Sequence, residues 1–163
     1  MTPVAGSGND YNQPPPLRGG NRYLDNRPLV EAVRRDGAAW AEDRLIALGQ
    51  AAGTEAQDWG RLANEHPPIL RSHDRYGNRI DEVEYHSAWH SHMALARRSG
   101  THAQPWAEPR PGAHVARAAL RLVASGAEAG HCCPISMTCA AVPALRPARV
   151  MAEEWGPRDR WPH

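Results

Sequence analysis

Apolar positions fall on one face of a helix in most of the segments that carry them. Leu29, Val30, Val33, Trp40 and Leu48 occupy about a third of a helical wheel, the stripe that a core-facing helix needs. Pro28 suits its first turn, Gly37 weakens its middle, and Gly49 or Gly53 can end it. Thr54–Glu55 reads as a cap opening a second helix through about Glu65, and "HPP" (His66–Pro68) stops it. From Ile69 to Glu84 the chain is polar and broken. "RYGNR" marks a turn, and strand pairing near Ile80–Tyr85 is only weakly supported. Helices are expected at about 86–98, 111–129 and 132–145, with Gly130 separating the last two. Past Leu145 periodicity fades. The fold class is therefore mainly α with long loops.

Composition sharpens this picture. With 163 residues the chain has room for one domain, and 15 prolines with 14 glycines imply irregular stretches around a modest core. Phe is absent, so six Trp, four Tyr and four Met supply the bulk. A net charge of +1 gives no basic field for nucleic acid. No apolar run is long enough for a membrane span, and "MTPVAGSGNDYNQPPP" has neither the basic start nor the apolar stretch of a signal peptide. Three clustered cysteines do not read as a disulfide framework, so a reducing, cytoplasmic setting is expected.

Two clusters carry candidate chemistry. "EYHSAWHSH" places His86, His90 and His92 within seven residues. On a helix His86 and His90 share a face, while His92 falls on the apolar stripe with Tyr85, Trp89 and Ala96. Three-histidine ligation therefore does not follow, although a strand would give all three one parity. The helical reading leaves His92 packed and pairs His86 and His90 with carboxylates such as Glu82 or Glu84. "AGHCCPISMTCAA" contains His131, Cys132, Cys133 and Cys139, without the paired C-x-x-C spacing of a structural zinc site. A small metal or redox module using His131, Cys132 and Cys133, with His86 and His90 as outside candidates, is one reading; buried inert thiols are the other. No P-loop, dinucleotide fingerprint or nucleophile elbow is present.

Read in order, five segments resemble one family, the AidB-like flavoproteins of the adaptive response to DNA alkylation, a branch of the acyl-CoA dehydrogenases. They are "NQPPPL" (12–17), "LVEAVRRDGAAW" (29–40), "GRLANEHPPILRSHDRYGNRIDEVEYHSAWHSHM" (60–93), "WAEPRPGAHVARAA" (106–119) and "EAGHCCPISMTCAAVPAL" (128–145). His86, Trp89 and His90 match a family helix opening that involves no metal; Tyr85 and Ser87 depart from it. The resemblance implies a Gly/Pro-rich tail and strap over 1–27, an N-terminal α-helical domain over 28–146, and a divergent, frameshifted or disordered tail over 147–163 in which only "EEW" (153–155) is familiar.

The parent architecture adds a β-domain with a Met-Thr-Glu flavin loop, and a C-terminal domain with the catalytic base and DNA-binding surface. Neither is present in this sequence. The expectation is thus a truncated, non-catalytic chain with no β-domain, no metal site and no FAD site of its own, though FAD serves the parent family. By analogy, Cys133, Ser136, Met137 and Thr138 are the candidate wall of a substrate cavity, alongside plain helix packing. Partners would be the remaining domains or a second copy, with DNA contacted only outside these residues. A subunit of a split flavoenzyme is a further alternative.

Overall fold

The computed structural model describes Leu17 and residues 19–160. The strap expected at Pro14–Leu17 lies outside them except for Leu17. Ten regular elements follow in order: α1 (Arg27–Arg35), α2 (Glu42–Gly53), α3 (Glu55–Glu65), β1 (Ile69–His73), β2 (Arg79–Glu84), α4 (Ser87–Arg98), α5 (Gln104–Ala107), α6 (Ala113–Ser125), α7 (Cys132–Leu145) and α8 (Arg149–Arg160).

The single first helix expected from Pro28 to Gly49 or Gly53 is two helices. Asn26 caps α1 by accepting from the Leu29 N–H, and Pro28 sits in its first turn. Gly37 then adopts a left-handed φ of 77°, which breaks the helix. A 3-10 turn at Ala39–Ala41 leads into α2. The apolar set still converges: Val33 and Leu48 are buried, and Leu29, Val30 and Trp40 pack on the same core. That core joins α1 and α2 to α6 through Leu45, Leu48, Ala116, Ala119, Leu120 and Val123, with Tyr23 from the preceding segment.

Gly49 lies inside α2 rather than ending it, and Gly53 is its last residue. The two let the backbone of 19–23 lie directly on the helix. Gly19 N–H donates to the Gly53 carbonyl (3.1 Å) and Arg22 N–H to that of Gly49 (3.0 Å). A Cβ on Gly49 would stand 2.8 Å from the Tyr23 nitrogen, closer than side-chain carbons approach.

The segment 69–84 is a two-stranded antiparallel hairpin, so the weak strand signal was real. Leu70 pairs with Val83 and Arg71 with Glu82. Asp74 organises the turn by accepting from the Tyr76 and Asn78 N–H groups, and Gly77 takes the left-handed position. Every strand residue is exposed, which is why no buried alternation marked it. The tail read as divergent over 147–163 is helical over Arg149–Arg160. No helix among the described residues is long and apolar enough to cross a membrane.

Candidate functional site

Helix α7 is 14 residues long and carries no charged side chain. A helix apolar all round belongs inside a larger body. Only one side of it is covered here: Cys132, Ile135, Cys139 and Val142 are buried, whereas Cys133, Met137, Ala140 and Ala144 are exposed, Met137 to 65%. About 100° per residue places Cys133 and Met137 on one face.

Ser136 lies about 60° round from Cys133, toward α6. Its hydroxyl accepts from Arg121 Nε (2.8 Å) and, more weakly, from Arg117 Nη2 (3.5 Å). Arg117 also donates to the Thr101 carbonyl, tying α6 to the 99–103 loop. Thr138 stands about 140° from Cys133 and donates to the Pro134 carbonyl of its own helix. The four wall candidates therefore do not share one face. Cys133 and Met137 do; Ser136 is a rim residue fixed by arginines, and Thr138 bonds back along the helix.

Pro143 sits inside α7 and has no N–H to offer the Cys139 carbonyl four residues earlier. Trp106 of α5 supplies the donor, its Nε1 lying 2.9 Å from that oxygen. Sequence reasoning missed this pairing, although a proline late in a helix signals a freed carbonyl at i−4. Arg146 caps the Trp106 ring at 4.9 Å.

Behind α7 lies a buried polar cluster. His92 and His131 stack with centroids 4.8 Å apart, and Trp59 meets His92 edge-on. His131 Nδ1 pairs with Glu128 (2.9 Å), whose carboxylate also accepts from the His131 and Gly130 N–H groups. Burial alone would push the Glu128 carboxyl up, but these hydrogen bonds hold it below the usual range. Burial depresses the His92 pKa to about 4, with His131 adding to the effect, so it is neutral at pH 7. Burial also pushes the Cys132 thiol up, which makes it a poor nucleophile despite His131 nearby. Cys133 is the exposed thiol, and all three cysteines are free.

The helical placement of His92 on the apolar stripe holds. His86 and His90 do not pair as expected. His86 caps α4 by accepting from the Ala88 N–H and stacks on His66 (4.7 Å), while Glu84 pairs with Arg71. His90 lies against Tyr85 and Trp89. Among the described residues no three His, Cys, Asp or Glu side chains converge to hold a metal ion.

The open face of α7 offers one thiol and no other side-chain donor, so it cannot hold a flavin pyrophosphate, which needs several hydrogen bonds. These residues do not fit an FAD site by themselves.

A family model described as the adaptive response protein AidB N-terminal domain matches residues 12–160, through α8. Putative acyl-CoA dehydrogenase AidB of Escherichia coli (strain K12) is 47% identical over 137 residues, covering 83% of this chain and 25% of that protein. Among solved structures, Bd2924 in its apo-form superposes with a TM-score of 0.73 at 26% identity, covering 80% of this chain and 27% of that one. Caenorhabditis elegans ACDH-11 in complex with C11-CoA superposes with a TM-score of 0.75 over 91% of this chain and 26% of that one; at 22% identity the likeness is of fold alone. The chain thus spans about a quarter of these relatives. Matched over residues 12–160 by the AidB N-terminal model and 47% identical to the E. coli protein over 83% of its length, this chain belongs to the AidB N-terminal domain family of acyl-CoA dehydrogenase-like proteins.

Proposed function

We propose that this chain is the N-terminal helical module of an AidB-type, FAD-dependent acyl-CoA dehydrogenase-like protein of the DNA alkylation response, working in the cytoplasm. Its role is to wall one side of the substrate cavity and to contact the β and C-terminal domains or a neighbouring copy. The module by itself performs no catalysis. DNA contact is assigned to the other domains, since a net charge of +1 gives this chain no large overall basic field.

One observation carries this reading: α7 is free of charge yet exposes Cys133, Met137, Ala140 and Ala144. Such a face is stable in water only at the cost of unburied apolar area, and burying it against a second domain recovers that area. Met137 and Cys133 would then line the junction, with Ser136 held at its edge by Arg117 and Arg121. Thr138 would support the helix from within rather than touch substrate.

The test is a chimaera in which residues 12–160 replace the matched part of the E. coli relative. The chimaera is expected to purify with bound flavin, seen in its visible absorbance, while the 163-residue chain mixed with FAD shows none after gel filtration. A folded chimaera without flavin contradicts the reading, as does stoichiometric flavin on the short chain.

A further inference from the structure

A cavity of about 250 Å³ opens where α5, the start of α6 and the residue after α7 meet. Its apolar walls are Pro105, Trp106 and Pro109, with Ala113 of α6 beside them. The Trp106 ring is fixed in place, because its Nε1 donates to the Cys139 carbonyl and His114 meets it edge-on at 5.1 Å. The prolines carry no N–H, so this side of the cavity offers a ligand flat apolar surface and no donors.

Two guanidiniums complete the lining, and among the described residues no carboxylate lines it. Each lies on an indole: Arg110 over Trp40 at 3.5 Å, and Arg146 over Trp106 at 4.9 Å. Stacking holds a guanidinium by its face and leaves its N–H edge for an oxyanion. Arg110 spends part of that edge on Glu108 (3.1 Å), a carboxylate it shares with Arg44. Arg146 makes no ion pair among the described residues, so its whole edge is open. The volume is several times the roughly 30 Å³ that one water takes in the liquid, so a bare anion would leave most of it empty.

We propose that this cavity binds a small ligand that joins a flat apolar body to a single oxyanion. The body lies against Trp106, Pro105 and Pro109, and the oxyanion takes N–H groups of Arg146 and Arg110. Carboxylate and phosphoryl groups share this chemistry, and the experiment separates them. The inference does not depend on the role assigned to α7.

NMR titration of the full 163-residue chain tests it, read at the Trp106 indole N–H, a resonance identified by its loss in Trp106→Phe. The ligands are benzoate, phenyl phosphate, benzamide and acetate at one ionic strength. Benzoate or phenyl phosphate is expected to shift the resonance in a saturable way, and the tighter of the two names the oxyanion. Benzamide has the shape without the charge, and acetate has the charge without the ring. Each is expected to bind at least about tenfold more weakly. Arg146 is exposed, so Arg146→Gln is expected to fold normally and to weaken the better ligand about tenfold. Arg146→Lys keeps the charge without the planar fork and is expected to recover only part of that loss. A resonance that no anionic ligand moves in a saturable way overturns the proposal. So does benzamide matching benzoate and phenyl phosphate, or full affinity in Arg146→Gln.

Discussion

Lowering the pH from 6.5 to 4 is expected to remove about 3 kcal/mol of folding stability through His92 alone. The folded imidazole titrates near 4 because it is buried, whereas in the unfolded chain it titrates near 6.5. Between those values the unfolded state binds the proton and the folded state does not, so stability falls as pH falls. Burial sets the sign, and the charged groups facing it adjust the size: His131 lowers the pKa and Glu128 raises it. His131 stacks on His92, and Glu128 is committed to His131 and to backbone N–H groups rather than to His92. A proton on His92 is therefore only partly compensated by Glu128, which does not offset the burial. Such a loss is a large share of the ~5–15 kcal/mol that stabilises a typical domain. Urea unfolding at pH 7, 5.5 and 4 measures it. His92→Phe, which keeps an aromatic ring against Trp59, should flatten the pH dependence by about that amount. An unchanged slope would place the acid sensitivity elsewhere.

The second large effect concerns Trp106. Replacing it with Phe keeps a ring beside His114 and Arg146 but leaves the Cys139 carbonyl without its indole donor. A buried carbonyl deprived of its partner costs about 1–3 kcal/mol. The cause is Pro143, so Pro143→Ala should supply the intrahelical N–H and make the same Trp106→Phe change much milder. A double-mutant cycle in denaturant reads this coupling, expected at about 1 kcal/mol or more. Additive effects would mean that the indole contributes through packing alone.

These two sites show where sequence reasoning reached and where it stopped. Helical spacing put His92 on the apolar face, and the structure buries it there. The same wheel could not reveal that His131, 39 positions later, supplies the stacked partner, because only tertiary packing brings α4 and the start of α7 together. The expected first helix is too long because its apolar period runs through Gly37, whose left-handed backbone turns the chain while keeping both halves on one core. The hairpin is faint in the sequence because all its strand residues are exposed, so its pairing rests on the Asp74 turn and ladder hydrogen bonds instead of burial. Among the wall candidates, the family resemblance pointed to α7 as a whole. Only the helical angle, checked against burial, separates Cys133 and Met137 from Ser136 and Thr138. The pairing of Trp106 with Cys139 needed knowledge of which loop returns to α7.

The role assigned to α7 rests on its open face being covered by further domains, and Cys133 reports on that directly. Thiol labelling with residue-level mass spectrometry should find Cys133 modified quickly in the 163-residue chain, with Cys132 and Cys139 slow because they are buried. In the flavin-bound chimaera, Cys133 should be protected by at least about tenfold. Labelling of Cys133 at the same rate in both would show that the face stays open to solvent, and the proposed wall and docking role would fail.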